Sequence, residues 1–195
     1  MYLYGASGHA MVIIDILKSR GIEIEGLIDD DENKNNLLGY NILHKIRNIS
    51  PVIVSIGNNI VRKRIVESLF GSFGTAIHSS AILSDQASIG LGTVIMQGAI
   101  IQSGAKIGNH CIINTGSKVD HECVISDFVH ISPNATLCGN VQIDEGAFIG
   151  AGSVIIPGIH IGKWSVIGAG SVVVNDLPDK VVAYGNPCRI IKKLP

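Results

Sequence analysis

From Ala81 to Asp176 the chain divides into sixteen consecutive hexads, AILSDQ, ASIGLG, TVIMQG and onward to SVIGAG and SVVVND, with no slip of register. The third place of every hexad is Leu, Ile or Val, and the first is mostly Ala, Ser, Thr or Cys. A period of six matches neither a 3.6-residue helix nor the two-residue alternation of an ordinary strand. It is the signature of a parallel β-helix, in which three short strands make one triangular coil. The aliphatic third place points inward, the small first place fits a crowded corner, and frequent glycine lets the backbone turn between faces. Sixteen hexads predict about five coils at the ~4.8 Å spacing of paired strands, so residue i sits beside residues i±18. The stretch NDLPDKVVAYGNPCRIIKKLP leaves the register and reads as a loop with a short strand capping the last coil.

The first eighty residues follow different rules. Residues 2–4 form a short apolar strand, Gly5-Ala6-Ser7-Gly8-His9 turns the chain, and Met11 to Ser19 is an amphipathic helix. A second strand, IEIEGLI, runs into Asp29-Asp30-Asp31, and a third, VIVSIG, into Asn58-Asn59 and the basic run Arg62-Lys63-Arg64. Strand, glycine turn, helix, strand, acid is the order of a Rossmann-like nucleotide site, where amides at a helix N-terminus meet phosphate. The dinucleotide fingerprint lacks its third glycine, and the segment is too short for both halves of that fold, so a mononucleotide fits better than NAD. Asn58, Asn59 and the basic trio have two readings: contacts to the same ligand, or a helix cap beside a solvated face. The expected division is a Rossmann-like domain over 1–77 and a β-helix over 78–195, with residues 72–80 as the link.

Against this apolar background, SKVDHECVISDFVH (117–130) carries His121, Glu122 and His130. In the hexad frame His121 takes the fifth place, at a corner where side chains leave the core. Its neighbours one coil away are Gly139 and Ser103. A histidine with an acid to fix its tautomer, beside bare backbone with room for a ligand and a free N–H, suits acyl transfer: a base for the nucleophile's proton and a donor for the oxyanion. A solvated corner histidine is the plain alternative, and His130 can equally be a surface residue of one face. Zinc is disfavoured, because the H-x4-H pair of the gamma-class carbonic anhydrases has no counterpart around His110, His121 or His130.

Composition limits the partners. With 15 basic against 16 acidic side chains there is no cationic excess for nucleic acid. No apolar run reaches the ~18 residues of a membrane span and no leader pattern opens the chain, so a cytoplasmic location is expected. Four cysteines without CxxC spacing are expected to be reduced and buried.

Taken together, YLYGASGHA, GLIDDD, SIGNN, NTGSKVDHECVISDFVHISP, CGNVQI and AYGNPCR resemble the NeuD/PglD-like family of hexapeptide-repeat sugar acyltransferases over nearly the full length. The resemblance implies a left-handed β-helix, a homotrimer, acetyl-CoA lying between neighbouring solenoids, and a UDP-linked 4-amino sugar held by the N-terminal domain. It implies His121 as general base, Glu122 as its orienting acid and the Gly139 N–H as oxyanion donor. Gly8 and His9 would approach the pyrophosphate or sugar, Asp29 and Asp30 the uridine, with Asn58 at the same ligand and Asn114 and His130 lining the acetyl and sugar pocket. Gly139, Ala151, Gly152, Ala169, Gly170, Gly185 and Pro187 would flank the coenzyme, and no metal is implied. Two departures are Met11, where many relatives carry a basic residue, and Cys188, where the family often has Ala. The expected reaction is N-acetylation by direct attack. The alternatives are O-acetylation of sialic acid, a GDP-linked amino sugar as acceptor, or a non-catalytic nucleotide-binding scaffold.

Overall fold

The computed structural model describes residues 1–195. Its N-terminal sheet contains β1 (Tyr2–Tyr4), β2 (Gly26–Ile28), β3 (Asn36–Leu37), β4 (Tyr40–Leu43) and β5 (Val52–Val54), in the order β3-β4-β2-β1-β5. Strands β4, β2, β1 and β5 run parallel, while β3 pairs antiparallel with β4. This is half of a doubly wound sheet, and the strand order reverses between β1 and β5, where such sheets bind ligands. Helix α1 (Gly8–Ser19) starts three residues before the expected Met11, directly behind the extended Ser7. Strand β2 is shorter than IEIEGLI, because Ile22 to Glu25 bring the chain back from α1, meeting the sheet only through hydrogen bonds of Glu23 and Glu25 with Met1. The β3–β4 hairpin was not anticipated; its turn, Leu38-Gly39, has positive φ at both residues, the geometry of a tight hairpin. Helix α2 (Asn59–Ser68) completes this region.

The ruler of six is realised from β6 (Ala76–Ile77) to β22 (Val172–Val173), seventeen two-residue strands in three parallel sheets. The ladder therefore begins one hexad before Ala81, inside the stretch expected to be a link, with Ala76 beside Val94. Neighbours are separated by eighteen residues at rung after rung, for example Ile100–Lys118, Lys106–Val124 and Ile112–His130. The third-place aliphatics and first-place small residues form one buried column from Ile95 to Val173, continued by Leu177, Val181 and Ala183. Corner sixth places take positive φ, and Gly or Asn fills most of them. The tail differs from expectation in having two strands. β23 (Val181–Gly185) continues one face beside Val166–Ile167, and β24 (Cys188–Lys193) folds back antiparallel on it.

The face that starts at β6 serves as the seam to the N-terminal region. Its outward second places are Ala76, Val94 and Ile112, which share a buried cluster with Leu3, Leu27 and Ile53 of the sheet and Ile13, Ile14, Ile16 and Leu17 of α1. Higher on the same face the second places become His130, Phe148 and Val166. The corner leading into this face is also unusual, since His110, Phe128 and Trp164 occupy positive-φ sixth places there. Such a conformation costs a non-glycine residue roughly 1–2 kcal/mol. Stacking of His110 on Phe128 at 5.1 Å, with Phe73 edge-on to His110, offsets it, and Lys63 of α2 lies over both Phe128 and Trp164.

Candidate active site

His121 leaves the corner after Lys118–Val119 and lies down across Gly139 of the next coil. A Cβ placed on Gly139 would fall 2.5 Å from both Cε1 and Nε2 of the imidazole. The bare backbone expected to leave room for a ligand is thus occupied by the histidine ring itself. No acceptor in the chain takes the Gly139 N–H, nor the N–H of Ala151 or Ala169, the corresponding fifth places on another corner. Nδ1 of His121 is 3.3 Å from Oε2 of Glu122, so the carboxylate accepts the Nδ1–H and leaves the Nε2 lone pair as the basic site. Asp120 does not share this task; its Oδ1 accepts the backbone N–H of His121 at 2.8 Å. Both side chains are open in the single chain, 58% exposed for His121 and 72% for Glu122.

Glu122 has φ +58°, at a corner place filled by Gly104, Asn140 and Gly158 in the neighbouring coils. The same left-handed conformation is taken by His110, Phe128 and Trp164 on another corner.

His130 sits in a contrasting environment. It is 9% exposed, on the seam face, its ring edge-on to Phe148 at 5.0 Å. Nδ1 is 3.3 Å from the Gly57 carbonyl and Nε2 is 3.1 Å from Nδ2 of Asn114. Because a carbonyl only accepts, the proton is on Nδ1 and the Nε2 lone pair accepts from the Asn114 amide. Burial, followed by the Arg62 charge, pushes its pKa down to about 4. His9 is likewise lowered to about 4 by burial and then Arg62, and its buried Nε2 has no partner in the chain. His9, His130, Asn114 and the Gly57 carbonyl therefore gather where α1 begins and β5 ends, while His121 stands on a different corner of the prism.

The remaining expected residues divide. Gly8 is exposed in the first turn of α1, and Ser7 before it makes no side-chain cap, so the first-turn amides point out of the helix. Asp29 is occupied internally, accepting from the Ala6 N–H at 2.8 Å, from the Asp31 N–H at 3.0 Å and from Lys34 at 2.8 Å. These contacts outweigh burial and hold its pKa below the usual carboxylate range. Asp30 is more open and accepts from the Tyr4 hydroxyl at 2.7 Å and from Arg47. Asn58 caps α2, its Oδ1 accepting from the Val61 N–H at 3.0 Å, and stays exposed. Ala151, Gly152, Ala169 and Gly170 are exposed on the corner after the seam face, and Gly185 and Pro187 in the β23–β24 turn.

Arg62 was expected to offer a ligand its charge or to face solvent, and does neither. It is 1% exposed, buried between the two regions. Hydrophobic patterning could not find it, because the buried residues of α2 are the polar pair Asn59 and Arg62. Burial pushes the Cys111 thiol up to about 12 and Cys123 to about 11; Cys138, next to Gly139, is half-buried, against the expectation that all four cysteines are buried.

The PglD N-terminal domain family matches residues 1–69, and the bacterial transferase hexapeptide family matches 122–157 and 145–175. A mutant of perosamine N-acetyltransferase from Caulobacter crescentus, in complex with CoA and GDP-perosamine, is 33% identical, with 98% of this chain and 96% of that one covered and a TM-score of 0.91. The acetyltransferase domain of PglB from Neisseria gonorrhoeae, in complex with acetyl coenzyme A, is 32% identical over 97% and 98% of the two chains, at TM-score 0.90. A dTDP-3-amino-3,6-dideoxy-alpha-D-galactopyranose 3-N-acetyltransferase from Aneurinibacillus thermoaerophilus is 44% identical over 52 residues, 27% of each chain. The matches span only 21% to 28% of the length of the first curated relatives. The chain belongs to the NeuD/PglD-like family of hexapeptide-repeat sugar acyltransferases. Of these relatives, one holds CoA with GDP-perosamine and another acetyl coenzyme A.

Proposed function

We propose that the chain acetylates the 4-amino group of a nucleoside-diphosphate-linked amino-deoxy sugar, with His121 as general base. The observation that carries this is the His121 imidazole, laid over Gly139 with Nδ1–H on Glu122 and Nε2 free. The amine lone pair attacks the thioester carbonyl, forming C–N while the π pair moves to oxygen. Nε2 of His121 takes the ammonium proton, the C–S bond breaks, and the proton passes to the departing CoA thiolate. The Gly139 N–H stabilises the oxyanion as the ring shifts onto substrate. No acyl-enzyme is needed.

The acceptor's diphosphate is read by the first-turn amides of α1 at Gly8 and His9, and its nucleoside by Asp30 with Tyr4 and Arg47. The sugar lies toward His130 and Asn114, and the coenzyme follows the exposed corner of Ala151, Gly152, Ala169 and Gly170 toward Gly185 and Pro187. His121 and the acceptor pocket are on different corners of one chain, which argues for a site completed by a second copy. The face bearing Ile82, Ile100, Lys118, Thr136, Val154 and Val172 outward is the more apolar of the two faces left uncovered by the N-terminal region, with Ile82 63% exposed, and supports a homotrimer. UDP is the first nucleotide to try. GDP is the second, favoured by the GDP-perosamine bound to a relative alike over the full length. Release of CoA from acetyl-CoA with UDP-4-amino-4,6-dideoxy-N-acetylglucosamine, and in parallel with GDP-perosamine, tests the proposal. Turnover with neither acceptor would refute it.

A further inference from the structure

Arg62 is a guanidinium with no carboxylate against it. Its five N–H groups all end on oxygens of the protein: Nε donates to the His110 carbonyl at 2.8 Å, Nη1 to the Ile56 and Gly57 carbonyls at 2.9 and 3.3 Å, and Nη2 to Oδ1 of Asn59 and the Phe128 carbonyl, both at 2.8 Å. Every donor of the fork is occupied, so no N–H remains for a ligand. Two of these carbonyls belong to the loop after β5 and two to stacked corners of the solenoid, 18 residues apart. Asn59 extends the contact by donating to the Gly146 and Ala147 carbonyls at 3.0 and 3.1 Å, on the next corner up.

We propose that Arg62 is a positioning residue for the acceptor site, fixing the Ile56–Gly57 loop to the solenoid so that the Gly57 carbonyl holds His130 with its proton on Nδ1. The inference rests on the acceptor site proposed above. Its consequence is mechanical. The β5–α2 loop meets His130 and Asn114 through the hydrogen bond from His130 Nδ1 to the Gly57 carbonyl and the contact of Nε2 with the Asn114 amide, and Arg62 is the buried group bonded to the loop and to the solenoid at once. A bidentate, planar donor suits this task; a lysine ammonium has three donors and no fixed plane. Burial first, and this charge second, hold the pKa values of the neighbouring histidines down, leaving Nε2 of His130 to accept from Asn114.

The test compares two substitutions at the same seam. Arg62→Lys, which keeps the charge and loses the fork, is expected to raise KM for the nucleotide amino sugar ~10-fold or more. The KM for acetyl-CoA and kcat should stay within ~3-fold, the pattern of lost ground-state binding. Glu145→Gln breaks the ion pair with Lys63 across that seam without touching the loop, and should lower Tm while leaving the acceptor KM unchanged. Equal effects of both variants on acceptor KM, or none from Arg62→Lys, would reduce Arg62 to a structural contact. Imidazole nitrogen shifts of His130 in the native protein give a readout that needs no turnover. A protonated Nδ1 and bare Nε2 are expected, and the opposite tautomer would overturn the proposal. Should the native chain acetylate no nucleotide amino sugar, the proposed function fails while the tautomer still decides whether the latch exists.

Discussion

His121 and His130 lie nine residues apart in one coil and end in opposite surroundings. The first is an open corner residue with an acid on Nδ1 and a free Nε2; the second is buried at the seam with both ring nitrogens engaged. Nothing in their local sequence separates them, since each is flanked by an aliphatic and an acidic residue within three positions. The difference comes from where the six-residue register puts them. A fifth place projects from a corner, and a second place on the seam face is roofed by the N-terminal region. In a solenoid, chemistry is assigned by address as much as by residue type.

The largest consequence is in acid stability. His9, His110 and His130 are all lowered from about 6.5 to about 4, burial being the first cause in each and Arg62 the next. Their unfolded forms bind protons first, so the stability of the neutral buried forms is complete above pH 6.5 and lost as pH falls through about 4. Each histidine accounts for about 3 kcal/mol of that loss. Urea denaturation followed from pH 7 to 4 should show it, and replacing His110 by Phe, which keeps the ring stack with Phe128, should flatten the slope by up to one proton.

Next in size is catalysis at the open histidine. His121→Ala should cut kcat/KM by the ~10²–10⁴-fold of a lost general base, without lowering Tm. Glu122→Gln removes the charge and can turn its amide N–H toward Nδ1, favouring the wrong tautomer, so a loss in kcat of up to ~10⁴-fold is expected. The histidine's bed is as important as its ring. Gly139→Ala puts a methyl 2.5 Å from Nε2 and should cost about 10- to 100-fold in kcat, because a displacement of about 1 Å in a catalytic group has that effect. Cys138→Ala should leave turnover unchanged, as a direct attack requires.

The solenoid was legible because its physics is local and repeated: one aliphatic place in six, small first places and positive-φ corners determine the i±18 ladder. The Rossmann-like half was legible through its glycine turn and the acids after β2, although the β3–β4 hairpin was not, its two short strands lacking an apolar alternation. His121, Glu122 and Gly139 could be brought together by counting eighteen. What counting could not supply was the seam. Asn59 and Arg62 are a polar pair that turns inward, against the usual placement of charge, because backbone carbonyls of three solenoid corners meet them there. Asp29 shows the reverse case: an acid in a ligand-like position whose oxygens are already taken by Ala6, Asp31 and Lys34.

In the proposed mechanism the open histidine, and not the buried one, moves the proton. Steady-state CoA release with a saturating nucleotide 4-amino sugar should be compared for the native chain, His121→Ala and His130→Asn. A fall of ~10²-fold or more in kcat is expected for His121→Ala, with His130→Asn acting mainly through KM. A kcat that survives in His121→Ala and collapses in His130→Asn would contradict it.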